Sequence, residues 1–414
     1  MPGDTGGPAV TPAHRAAVVV RRVAALATAG MLALSWPLWV GSADFPRVPF
    51  LKAMPQATGF SAWLLFVSLV VAVAGSAGRG RWRASFGASL GLFVVLIAQD
   101  QHRFQPWVYQ YAMTLVFLAA MPGAEGLRYA RWWFVALYLH SGLSKLDASF
   151  CAELGPVFLR TALAPAGLDP TSWGPTWRGA AVLAMPAGEI ALAWALAVPA
   201  ARRFGRVAAV GLHVGLIGIL GPAGLGHSTI VLVWNAAVMV EVWIAFGTDL
   251  AERPDVPPRG SSAKRVFWVL VVMPFAERWG LWDVWPSHAL YASHVEKVAV
   301  MVHDSAVDRY PAAIRKHLER VGEGPWMRVN LTGWSREVRG TPVYPQNRAG
   351  LGVAEALAGG YGGPLPVRVV AFGPADRWTG RRARAEATGL GQIRGLGERF
   401  LCNAHPWPGG RGDR

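Results

Sequence analysis

Charge is scarce in this 414-residue chain: only 16% of residues are Asp, Glu, Lys or Arg, where a water-soluble domain carries about a quarter. Lysine is scarcest among the cations, five (Lys52, Lys145, Lys264, Lys297 and Lys316) of 40 basic residues, and only 25 acids offset them, leaving a net charge of +15. Two cysteines, Cys151 and Cys402, permit at most one bridge and exclude a disulfide scaffold or a Cys-rich zinc site. His288 and His294 lie six apart, which suits neither a helical nor a strand pair of ligands, so they read as interface polar groups and no metal is expected. The charge comes without a nucleic-acid motif, and its arginines sit between apolar runs where membrane orientation needs them, so nucleic acid is not an expected partner. Neither an internal repeat nor a matched pair of broken helices points to a transporter.

Apolar surface is what the chain has in excess: 53% of residues are hydrophobic, and the mean hydropathy is +0.30. Apolar stretches near 20–41, 58–76, 84–99, 107–122, 131–146, 179–200, 206–222, 227–246 and 265–281 approach the length that crosses about 30 Å of hydrocarbon. The expectation is an all-α polytopic membrane protein with about eight or nine transmembrane helices in residues 1–281, its partner the lipid bilayer. A smaller polar region, 282–414, follows. It contains short alternating stretches, Val329-Asn330-Leu331 and Val367 to Phe372, that suit strands.

Basic residues follow every even-numbered segment: Arg79, Arg81 and Arg83; Arg128 and Arg131; Arg202, Arg203 and Arg206; Arg259, Lys264 and Arg265. With Arg15, Arg21 and Arg22 before the first, this pattern predicts a cytoplasmic N-terminus in a cytoplasmic or inner membrane. Loops beginning at Asp44, Asp100, Asp147 and Gly221 then face outward, and so does the C-terminal region if the ninth segment crosses. Arg21-Arg22, the apolar run and Gly41-Ser42-Ala43 also fit a cleaved signal peptide, which would leave the remaining topology unchanged.

Ionisable groups inside a bilayer are costly, so each is a functional candidate. Lys145 is the only lysine set against an apolar segment, and it shares a helical face with Ser141. Arginine keeps its proton in a protein, whereas a lysine removed from water can become a base; the alternative is a lysine snorkelling to the water boundary beside Asp147. His213, between Gly211 and Gly215, and Glu189, after Pro186 and Gly188, lie within spans, and Glu189 could pair with His213 or Arg160. Near the outer mouth, Gln99 to Trp107, with His102 and Trp107, suits a polar head on an apolar body, such as a quinol, or an interfacial cap. His227 lies at the same level, with Asn235 deeper.

The stretch Tyr138-Leu-His-Ser-Gly-Leu-Ser-Lys145-Leu-Asp147-Ala148 resembles the central segment of the vitamin K-dependent gamma-glutamyl carboxylases and their bacterial relatives, the horizontally transferred transmembrane (HTTM) domain family. Gly188-Glu189, an Arg-rich turn and Leu212-His213 follow the family's order, and the likeness covers roughly residues 95–245. The resemblance implies that Lys145 is the base that deprotonates a reduced quinone, a vitamin K-type hydroquinone. O2, which oxygenates the hydroquinone, and CO2 then serve as co-substrates; in the family the carboxyl acceptor is a glutamate, and here the substrate is left open, with a protein or peptide at the outer face as a candidate. His213 would match a histidine near that site and His102 one in an earlier outer loop. Where the family often has a second lysine this chain has Ser144, and Phe150 stands near a family tryptophan. The alternative from another class is a non-catalytic membrane protein that binds a quinone or lipid, or scaffolds a partner complex.

Overall fold

The computed structural model describes residues 11–121, 123–250 and 262–408. The first two thirds form the helices α1 (Pro12–Leu34), α2 (Trp36–Val40), α3 (Gly59–Gly75), α4 (Trp82–Gln99), α5 (Pro106–Ala120) and α6 (Ala124–Ser144). These are followed by α7 (Ala148–Ala152), α8 (Leu154–Leu163), α9 (Pro175–Ala197), α10 (Arg202–Leu220), α11 (Thr229–Gly247) and α12 (Ser262–Val272). Proline occupies the first turn of α1, α5 and α9, where its missing N–H would have no helical partner. Side-chain caps close other starts: Asp147 accepts from Phe150 N at 2.7 Å ahead of α7, and Ser228 from Ile230 N at 3.4 Å ahead of α11.

Each of the nine expected segments meets a helix, but among the described residues five are long and apolar enough to cross a membrane: α1, α4, α9, α10 and α11. These mark the chain as membrane-embedded, and the number is below the eight or nine expected. The shortfall has local causes. α3 has 17 residues, α5 has 15 and α12 has 11, while α6 carries Glu125, Arg128 and Arg131 in its first half. α1 packs against α3, α5, α6 and α11, and α6 lies along α9. Of the cations expected near the ninth segment, Arg259 lies outside the described residues.

The C-terminal region contains β1 (Lys297–His303), α13 (Ala312–Arg315), β2 (Leu318–Arg320), β3 (Trp326–Val329), α14 (Leu331–Arg339), α15 (Asn347–Gly359), β4 (Val367–Phe372), β5 (Arg384–Thr388) and α16 (Gly389–Gly397). The strands form one antiparallel sheet in the order β2-β3-β1-β4-β5. Val300 faces Val369 across β1 and β4, and with Val302 and Val367 they bury against Leu351, Ala354, Leu357 and Ala358 of α15. The expected strand at 329–331 is corrected: Val329 ends β3, and the Asn330 side chain accepts from Gly333 N at 2.9 Å to start α14. Asparagine competes well for that capping position.

This region is not a detached tail. Phe45 and Val48, from the loop after α2, belong to its hydrophobic core, and Phe45 packs on Trp334 with ring centroids 4.3 Å apart. Gln101 Nε2 donates to Asn403 O at 2.7 Å, and Arg348 Nε donates to Gln101 Oε1 at 2.7 Å. Arg377 Nε donates to Leu146 O at 3.0 Å, and Ser228 Oγ to Gly340 O at 2.7 Å. The end of α4, the end of α6 and the start of α11 therefore lie at one end of the bundle, beneath the C-terminal region.

Candidate active-site cavity

Lys145 stands at the C-terminal end of α6 and its chain folds back along the helix. Its Nζ donates to Ser141 O at 3.0 Å and Ser141 Oγ at 2.7 Å, and meets Glu189 Oε1 at 3.0 Å and Oε2 at 2.9 Å. The i, i+4 spacing sets Ser141 under the ammonium, and the close contact of α6 with α9 brings up Glu189. The pair forms one wall of a cavity of about 220 Å³. Lys145 is 4% exposed, so the pair is shielded from bulk water and interacts strongly.

A second wall carries a chain of hydrogen bonds whose directions can be assigned. Asn235 Nδ2 donates to Val231 O at 2.8 Å, which turns Asn235 Oδ1 toward His213 Nδ1 at 2.9 Å. The His213 proton therefore sits on Nδ1, and Nε2 accepts from the Tyr138 hydroxyl at 2.7 Å. Tyr138 keeps an oxygen lone pair for the cavity. Leu216, Ile219, Val238, Phe158 and Leu290 supply apolar lining, and Tyr291 stands among the lining residues with φ 58°, a left-handed conformation unusual for an aromatic residue.

Lys145, Glu189 and His213 are thus brought together, while His102, Trp107 and His227 are not in the lining. The pairing of Glu189 with His213 or Arg160 is corrected: its partner is Lys145. His102 is fully buried in a joint with the C-terminal region, its Nδ1 2.7 Å from Asp100 Oδ1. Trp107 is packed edge-on to Trp39 in the helical core, with centroids 6.0 Å apart. His227 lies one residue away from the cavity: its ring meets that of Tyr291 at 5.8 Å, and Arg336 bonds its Nε2 at 2.8 Å. Burial and the Arg336 charge push the His227 pKa down to about 4.

Sequence reasoning set Asp147 beside a snorkelling lysine and His294 at an interface, and did not join the groups that brace the corner after Lys145. Asp147 Oδ2 meets His294 Nδ1 at 2.9 Å and Arg278 Nη2 at 3.1 Å, while His294 Nε2 meets Glu277 Oε2 at 2.9 Å. Burial opposes the charged imidazolium of His294, but the two carboxylates outweigh it and raise its pKa. His294 is therefore a buried link between two carboxylates where an interface polar group was expected. Tyr138 lay within the stretch that carries the resemblance, yet its bond to His213, 75 residues away, depends on how α6 and α10 are both set against α9. Among the described residues no group of three or more His, Cys, Asp or Glu is arranged to hold a metal, and both cysteines are free.

No family model, curated protein or solved structure matches the chain.

Proposed function

We propose that the chain is a gamma-carboxylase-like membrane enzyme of the HTTM kind, in which the Lys145–Glu189 pair removes a proton from a quinol. In this reading the shorter helices α3, α5, α6 and α12 cross the membrane with the other five, the N-terminus is cytoplasmic, and the C-terminal region lies outside. One observation carries the chemistry: a lysine–carboxylate pair forms a wall of a mainly apolar cavity. A hydroquinone has hydroxyls at opposite ends of a flat apolar ring. The cavity offers polar groups on two walls, Lys145–Glu189 and Tyr138–His213, with apolar side chains between them. At about 220 Å³ the cavity is smaller than a typical site for a whole drug-sized ligand, about 300–1,000 Å³. It suits a compact ring whose tail leaves between helices.

The residues' roles follow from their donors and acceptors. A hydroxyl proton passes to the Lys145–Glu189 pair, which needs the pair in its neutral form if the lysine amine accepts it, or as an ion pair if the carboxylate does. Tyr138, with its proton directed to His213, accepts from the second hydroxyl. A reduced quinone would supply the reducing equivalents, O2 the oxidant that oxygenates the quinol, and CO2 the new carboxyl group for an acceptor at the outer face.

A second reading is favoured by the contacts of Lys145 themselves. Ser141 and Glu189 offer its Nζ four acceptor atoms within 3.0 Å, more than its three hydrogens, as in a structural ion pair. That reading is a non-catalytic membrane protein that binds a quinone or lipid, or scaffolds a partner. The deciding experiment is quinol-dependent epoxide formation by the purified chain in nanodiscs, with oxygen and bicarbonate, comparing wild type with Lys145→Ala and Lys145→Arg. Epoxide from wild type alone supports the enzyme. No epoxide, with quinone binding unchanged by either substitution, supports the second reading.

A further inference from the structure

We propose that a second cavity, lined by arginines at the other end of the bundle, binds a phosphate group. It measures about 630 Å³ and is lined by Arg128 and Arg131 of α6, Arg202, Arg203 and Arg206 of α10, and Asp249 after α11. Arg131 and Lys145 are 14 residues apart on the α6 axis, about 21 Å at 1.5 Å per residue. The two cavities are therefore separate.

Five arginines and one acid line this cavity. Among the described residues, Arg202, Arg203 and Arg206 make no ion pair with a carboxylate. Several of the guanidiniums are nevertheless held in place. Arg131 Nε donates to Ala245 O at 2.7 Å, and its Nη2 bonds Thr248 O. Arg202 Nε donates to Leu196 O at 3.3 Å. Arg206 lies 4.0 Å over the Trp243 ring, and Gly247 makes room for it, since a Cβ there would lie 2.6 Å from Arg206 Nη2. The Arg206 Nε is buried without a hydrogen-bond partner.

A guanidinium has five N–H donors in a planar fork that matches phosphate oxygens. Converging like charges repel, and an anion among them removes that repulsion. The start of α10 adds the positive end of a 19-residue helix to the same place. Arg202, Arg203 and Arg206 line a space of about 630 Å³.

The phosphate could come from a phospholipid headgroup or from a soluble phosphate ester. Trp132 lines the cavity and is 43% exposed, while Phe204 and Val207 are exposed on the neighbouring α10 surface, a path suited to acyl chains. The test uses the full chain in phosphatidylcholine nanodiscs, with phosphatidylglycerol added in one arm and inorganic phosphate or glycerol 3-phosphate in the other. Bound lipid is read by native mass spectrometry, and soluble ligand by the shift in thermal midpoint. Arg202→Gln/Arg206→Gln should weaken binding about 10- to 30-fold, from about fivefold per charge. Arg203→Gln, at an exposed position, should weaken it severalfold without disturbing the fold.

Arg79→Gln/Arg81→Gln removes the same charge outside the cavity and should leave binding unchanged. Arginine-dependent retention of phosphatidylglycerol identifies a lipid headgroup, and an arginine-dependent shift with soluble phosphate alone identifies a free ester. Binding of neither ligand, or equal loss in the Arg79/Arg81 control, overturns the proposal. The quinol assay reads the opposite end of the bundle, so its result stands apart from this one.

Discussion

Gly142 of α6 faces the Pro186 carbonyl of α9 so closely that a Cβ on the glycine would lie 2.8 Å from that oxygen, 2.7 Å from Ile190 Cγ1 and 3.2 Å from Glu189 Cβ. Small residues let membrane helices approach in this way, and here the approach sets Glu189 against Lys145. Gly142→Ala should separate the helices, cost about 1–3 kcal/mol of stability, and lower quinol turnover more than it lowers the amount of folded protein. Turnover per folded molecule, normalised by gel filtration, checks this; unchanged turnover would mean the close contact is dispensable.

The ion pair makes its own forecast. Lys145→Met leaves a carboxylate, and Glu189→Gln leaves an ammonium, without its partner in a shielded site. Each should destabilise by about 3 kcal/mol. The combination Lys145→Met/Glu189→Leu should destabilise less than either single change, because no unpaired charge remains. Thermal unfolding in one detergent across this cycle gives the coupling, and additive losses would count against a coupled pair.

His294 gives stability a pH dependence with a definite sign. Its pKa is raised in the folded chain, against burial, by the Asp147 and Glu277 carboxylates. The imidazolium therefore stabilises fully below the unfolded histidine value, about 6.5, and that contribution is lost as pH rises through the raised folded value. Arg278 also meets Asp147, at 3.1 Å. The thermal midpoint should fall as pH is raised above neutrality, and His294→Gln should flatten that part of the curve. An unchanged slope in the variant would place the dependence elsewhere.

Tyr138→Phe removes the hydroxyl that donates to His213 and leaves His213 Nε2 buried without that donor. A cost of about 1–3 kcal/mol in stability is expected, together with weaker binding of a quinol analogue while apolar ligands keep their affinity. Ligand titration by tryptophan fluorescence separates the two effects.

Hydropathy and length made the helical segments legible, since each expected stretch overlaps a helix. Whether a segment suffices to cross a bilayer was less so, because Pro106 starts α5 late and α6 tolerates Arg128 and Arg131 where it packs against other helices. Lys145, Glu189 and His213 stood out individually as ions or imidazoles among apolar residues. The pairing of Lys145 with Glu189, 44 residues apart, depends on which helix lies beside α6, and no local pattern encodes that. His294 was opaque for the same reason: its partners sit 147 and 17 residues away. The segment around α7 and α8 gave no signal, being too short for a span and free of alternation.

The core of the C-terminal region joins residues far apart in the chain, and this sets an order for biosynthesis. Phe45 and Val48 belong to a core whose other members include Ala404. At a usual translation rate of about 5–20 residues per second, the roughly 350 residues between them take about 20–70 s to make. For most of that interval, until Trp334 and the residues that follow it are made, the first loop presents its apolar side chains without these partners, while helices below it are already inserting. Closure of this core therefore comes long after the first loop is made, and a chaperone on that side of the membrane would meet the loop before its own chain does.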